Sequence, residues 1–160
     1  MPRKLSLQYI AGFFDGEGCV NMARLRSSIF PRVLIVHTDR YILELLQEQF
    51  GGDINPVHHR RENWKPSWIW RLSWKPAVDF LRKIEPYLVV KDQQALTAIA
   101  WDEARPGHGG AATGWDEDGA GDLLVARMKW LNQKGPPQGE DPIDAVLREI
   151  EDARTGTASL

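Results

Sequence analysis

The sequence predicts an α+β domain: an antiparallel sheet of two hairpins with helices packed on one face, in the order αββαββα plus C-terminal helices. Three observations predict it. Apolar residues recur at helical spacing over 5–15, 40–50, 76–85 and 92–104. Four extended segments, 19–26 with 32–38 and 53–61 with 67–74, form two consecutive pairs. Gly51-Gly52 and Pro86 punctuate the boundaries between segments.

Each element has its own signal. In 5–15, Leu5, Tyr9 and Phe13 sit four apart with Ile10 and Phe14 beside them, and Gly16 and Gly18 bracket Glu17 and stop the helix. Strands at 19–26 and 32–38 flank a turn at Ser27–Pro31. In 40–50, Ile42, Leu43, Leu45, Leu46 and Phe50 make one apolar face, which Gly51-Gly52 terminates. Strands 53–61 and 67–74 enclose a polar loop, and the second sets Trp68, Trp70, Leu72 and Trp74 on one face. These tryptophans read as core, and Trp64 in the loop reads as exposed. Pro76 starts the helix 76–85 and Pro86 ends it. Residues 1–104 thus form the core unit, 105–121 a Gly-rich loop, and 122–160 further helices (122–132 and 142–153) of the same domain with a short tail.

Composition narrows the function classes. The chain of 160 residues is 42% hydrophobic and 26% charged, enough for one sizeable core. Its single cysteine, Cys19, excludes an internal disulfide and a Cys-rich zinc module. No apolar run is long enough to span a membrane and no secretion signal is evident, so an intracellular protein without membrane partners is expected. The net charge of -2 conceals an asymmetry: residues 1–91 carry 14 basic and 9 acidic side chains, residues 92–160 carry 6 and 13. The first part suits a polyanion and the second does not.

The densest signal is Tyr9-Ile10-Ala11-Gly12-Phe13-Phe14-Asp15-Gly16-Glu17-Gly18. Gly12 and Gly16 share a helix face, and each glycine inside a helix costs about 1 kcal/mol relative to alanine. Close approach of a second copy of the helix about a two-fold axis would offset that cost. It would also gather both copies of Asp15 and Glu17 at helix C-termini, where a hard divalent cation favours oxygen ligands. The same residues also fit a plain helix C-cap with two solvated acids.

This decapeptide resembles the signature of the LAGLIDADG homing endonucleases. Two further segments are similar to that family: Val36-His37-Thr38-Asp39 leading into the Leu-rich helix, and Pro86-Tyr87-Leu88-Val89-Val90-Lys91 followed by Gln93-Gln94-Ala95. The resemblance covers residues 5–100 and contains one copy of the signature. It implies a homodimeric, site-specific double-strand DNA endonuclease whose saddle-like sheet binds a long pseudo-palindromic site. It implies Glu17 as the metal-binding catalytic carboxylate, with the Gly16 carbonyl sharing the metal and Asp15 behind them. Lys91 and His37 match a basic and a water-ordering position near the catalytic centre, and Gly12 and Gly16 match the dimer interface. The cofactor implied is Mg2+, with Mn2+ an alternative and Ca2+ supporting binding but not cleavage. The competing function on this fold is an RNA maturase assisting intron splicing, or a DNA-binding protein that does not cut.

The DNA-binding set expected on the strands and their loops is Asn21, Arg24, Arg26, Arg32, His58, Arg60, Arg61, Lys65 and Arg71. Arg24 and Arg26 share a face with Val20 and Met22, so a bulge or strand end is needed for the whole set to face DNA. Two lures carry less. Asp116–Asp122 resembles half a calcium loop, but Ala120 and Arg127 fail at ligand positions. His58-His59 lacks further ligands at metal spacing.

Overall fold

A computed structural model describes residues 3–26, 28–104 and 119–157. The Gly-rich stretch 105–118, with Asp116–Asp118 of the calcium-like loop, and Ser27 of the first turn lie outside the described residues. The elements run α1 (Leu7–Glu17), β1 (Gly18–Leu25), β2 (Ser28–His37), α2 (Arg40–Phe50), β3 (Asp53–Pro56), β4 (Trp68–Ser73), α3 (Lys75–Ile84), a 3-10 turn (Glu85–Tyr87), α4 (Asp92–Ala104), α5 (Ala120–Leu131) and α6 (Pro142–Thr157). Among these residues no helix is long and apolar enough to cross a membrane.

The four strands form one antiparallel sheet in the order β1-β2-β4-β3. The register settles the two faces, because directly opposed residues lie on the same side. Val20 opposes Val33, Val33 opposes Leu72, and Ile35 opposes Trp70, all buried. That side is covered by helices. The other carries Asn21 opposite Arg32, Arg32 opposite Ser73, Leu34 opposite Arg71, and Arg71 opposite Asp53.

Helix α3 knits the core. The ring of Phe80 meets Phe14 of α1 at 5.5 Å, Phe50 of α2 at 5.0 Å and Trp70 of β4 at 5.3 Å, each edge-on. Trp70 Nε1 donates to the Gly51 carbonyl at 2.9 Å. Glycine is required just beyond: Gly52 has φ +91, and a Cβ there would lie 2.5 Å from the Arg71 carbonyl oxygen. Trp70 and Leu72 are buried as expected, while Trp68 and Trp74 are half-buried against the core. Trp74 takes φ 62, which lays its ring on Phe30 at 4.3 Å. Trp64 is 58% exposed.

Several boundaries depart from the sequence expectation. Helix α1 continues through Gly16 and Glu17 and ends at Gly18, whose N–H donates to the Phe14 carbonyl. Strand β2 begins at Ser28 and contains Pro31, which was expected in the turn. The Pro31 carbonyl accepts from Trp74 N at 3.0 Å, just past the end of β4, so its missing N–H costs no ladder bond there. Strand β3 stops at Pro56, not residue 61: the bond from Val57 N to the Ser67 carbonyl at 2.9 Å continues the same register one step further, and the chain then leaves the ladder for the turn at 60–64. His58, Arg60 and Arg61 therefore stand on a loop. Helix α6 runs to Thr157.

Helix α5 lies against the β1 edge of the sheet, and α6 packs on α5. Leu124 and Met128 of α5 are buried, and Asn132 Nδ2 donates to the Val20 carbonyl at 2.7 Å. Arg127 bridges three segments: it reaches Asp141 before α6 and Thr97 and Gln93 on α4, at 3.0, 2.9 and 3.1 Å.

Candidate active site and nucleic-acid interface

The C-terminal end of α1 carries Asp15, Gly16 and Glu17, and it treats the two acids differently. The Asp15 carboxylate is fully engaged: Oδ2 accepts from Val89 N at 2.8 Å, and Oδ1 accepts from Val90 N at 3.1 Å and Lys91 N at 3.0 Å. These amides precede α4, so the negative charge also sits at that helix's positive end. Lys91 Nζ donates to the Asp15 carbonyl, one of the last α1 carbonyls that lack a partner within the helix. The segment 88–91 and the end of α1 are thus tied together. Glu17 is exposed and has no hydrogen bond or ion pair among the described residues.

Glu17 opens on a cleft of about 590 Å³ shared with Val36, His37, Thr38, His59, Trp64 and Lys65. His37 ends β2, its Nδ1 accepts from Asp39 N at 3.0 Å, and its ring meets Phe13 edge-on at 5.5 Å. The opposite wall is the loop 57–67. His59 Nε2 pairs with the hydroxyl of buried Ser67 at 2.8 Å, and its ring packs against Trp64 at 5.3 Å. Residue-by-residue reading missed this wall, since nothing local links His59 or Trp64 to Glu17.

Gly12 and Gly16 are both exposed, and a Cβ at either would meet nothing within 4 Å among the described residues. Among those residues no packing offsets their helix-weakening cost. Exposed apolar side chains lie nearby: Tyr9 on the same helix, and Val89 and Val90 on the segment held by Asp15.

The basic set divides. Arg32 and Arg71 lie on the open sheet face with Asn21; Arg32 Nε donates to Asn21 Oδ1 at 3.2 Å, and buried Arg71 Nε has no partner among the described residues. Arg26, His58, Arg60, Arg61 and Lys65 are exposed in turns and loops. Arg24 departs from the set. The β1–β2 register runs unbroken from Gly18 to Leu25, so no bulge turns it over, and its guanidinium pairs with Asp122 of α5 at 2.6 Å. Among the described residues no three His, Cys, Asp or Glu side chains gather as a metal site.

The sequence matches no family model, and no curated protein matches it. Solved structures do match the fold. The homing endonuclease I-CvuI, in complex with its target in the presence of calcium, superposes with a TM-score of 0.61 at 17% identity, over 86% of this chain and 88% of that one. The archaeal intron-encoded homing endonuclease I-Vdi141I, complexed with DNA, gives 0.53 at 20% identity, over 91% and 94%. The LAGLIDADG homing endonuclease I-SmaMI, bound to cleaved DNA, gives 0.58 at 20% identity, over 91% of this chain and 49% of that one. The chain has the LAGLIDADG homing-endonuclease fold. The order αββαββα expected from the sequence is the order observed.

Proposed function

We propose that this protein is a site-specific double-strand DNA endonuclease that acts as a homodimer. One observation carries the reading: α1 ends in a clamped Asp15 and an exposed Glu17 that has no partner among the described residues, below two glycines whose open face none of those residues fills. Two copies crossing there fill the space beside Gly12 and Gly16 and bring both Glu17 side chains to one centre. The coverage supports this, since one copy spans most of I-CvuI but half of I-SmaMI.

The open sheet face then receives the duplex. Arg32 and Arg71 lie on it, and Arg26, His58, Arg60, Arg61 and Lys65 reach the backbone from its margins. Asp122 holds Arg24 away from that surface. Helix α5 of the acidic C-terminal part lies against the β1 edge.

The donor set fits a hard divalent cation only when two copies meet. Glu17 and the Gly16 carbonyl of each chain, completed by phosphate oxygens, would hold Mg2+, or Mn2+ in its place, with Ca2+ supporting binding without cutting. When bound, the metal supplies charge neutralisation at phosphorus and a reactive water at neutral pH. The chain's own contribution is positioning. Asp15 and Lys91 fix the last turn of α1, and with it the direction from which Glu17 approaches.

A maturase or non-cleaving DNA-binding protein on this fold has no use for a free acid at that position, which favours the enzyme. The test is selection of cleaved sequences from a randomised palindromic duplex library, with and without magnesium. Enrichment of one palindromic site in magnesium alone is expected. Binding enrichment without cleavage in either condition refutes the endonuclease.

A further inference from the structure

A neutral imidazole has one donor and one acceptor, and the proton's position decides whether it gives or takes a hydrogen bond. At His37 the backbone makes that choice. His37 closes β2 and Asp39 caps α2, and the tight turn between them points the Asp39 N–H at His37 Nδ1, 3.0 Å away. An amide N–H only donates, so Nδ1 accepts and carries no proton. The Asp39 carbonyl lies 3.4 Å from the same nitrogen, the longer and weaker of the two contacts. Phe13, edge-on at 5.5 Å, fixes the ring plane. With Nδ1 accepting, the neutral ring carries its proton on Nε2, which has no hydrogen bond among the described residues, and His37 lines the cleft that contains Glu17.

We propose that His37 is a catalytic hydrogen-bond donor: its Nε2–H binds a non-bridging oxygen of the scissile phosphate and is not a base for the attacking water. This rests on the endonuclease reading. A base needs a free lone pair; that of Nδ1 is taken by Asp39 N–H, and Nε2 already holds the proton. No proton leaves the ring during hydrolysis. The bond strengthens as negative charge builds on the phosphoryl oxygens, so the contribution falls on turnover rather than on affinity.

The test uses variants that copy one nitrogen at a time. A glutamine amide reaches the place of Nε2, and an asparagine amide reaches the place of Nδ1. On the duplex that the wild type selects from the palindromic library, His37→Ala and His37→Asn should cut about 10²–10³-fold more slowly at saturating DNA. Their affinity in calcium should stay unchanged. His37→Gln should recover most of that loss. Recovery by His37→Asn and not by His37→Gln overturns the inference. A second readout needs no activity: in a long-range ¹H–¹⁵N spectrum of the DNA-free protein, the His37 signals, assigned by their loss in His37→Gln, should show the Nε2–H tautomer. An Nδ1–H signal overturns the donor assignment and leaves the endonuclease reading standing. A wild type that selects no cleaved sequence overturns both.

Discussion

Asp15→Asn separates a structural acid from a catalytic one. Asparagine keeps Oδ1, so the bonds from Val90 N and Lys91 N survive, but its amide replaces Oδ2 and sets N–H against the Val89 N–H. The change removes one charge-assisted hydrogen bond, worth about 1.5–3 kcal/mol. It also removes a negative charge at the start of α4, worth about 0.3–1 kcal/mol. Val89 is 83% exposed, so water recovers part of the first loss, and the sum is expected near the lower end, about 2 kcal/mol. With a urea slope near 2 kcal/mol/M that is a fall of about 1 M in the unfolding midpoint. Circular dichroism in urea at fixed protein concentration measures it. An unchanged midpoint together with abolished cleavage would show that Asp15 acts in chemistry and that the clamp reasoning is wrong.

Three further outcomes follow. Gly12→Leu should weaken self-association while leaving the monomer folded, because the added side chain meets open space within one copy and a backbone in the dimer; sedimentation showing an unchanged dimer refutes the crossing. DNA affinity should fall about 10³–10⁵-fold between about 50 and 200 mM salt if the basic margin makes 6–10 phosphate contacts, and a flat salt response refutes that surface. Burial by itself pushes the Asp102 carboxyl up, but hydrogen bonds from Lys75 and Arg82 outweigh it and hold the group below its ordinary 3.8. Its stabilisation is therefore present above the unfolded value and lost as pH falls through the lowered one. Asp102→Asn should cost stability at neutral pH, and its gap to the wild type should close in acid; a gap independent of pH contradicts the pairing.

What was legible in the sequence was local. Helix α2 runs over the expected residues because its signals are local: the apolar face and the Gly51-Gly52 stop. The Trp70–Leu72 core face follows from alternation alone. What was not legible depends on partners far along the chain. Strand β3 is shorter than the expected 53–61, because its extent is set by pairing with the distant β4, which runs to Pro56 with the Val57–Ser67 bond one step beyond. Arg24 looked available because Asp122, 98 residues later, is invisible to spacing. Glu17 was singled out through the decapeptide, but its distinction from Asp15 rests on Val89, Val90 and Lys91, 74 to 76 residues from Asp15. The loop wall of the cleft, with His59 held on Ser67, is a tertiary fact of the same kind.

Glu17→Gln tests the central claim most directly, in a gel shift beside a cleavage assay on one selected duplex, in magnesium and in calcium. Glutamine preserves size and one carbonyl oxygen but loses the charge that holds a hard cation. Glu17 has no partner among the described residues, so the fold and the open sheet face should survive the change. The account predicts no cleavage in magnesium with specific binding retained in both ions, while the wild type cuts in magnesium and only binds in calcium. Cleavage by Glu17→Gln at the wild-type rate, or binding lost in step with cleavage, would contradict it.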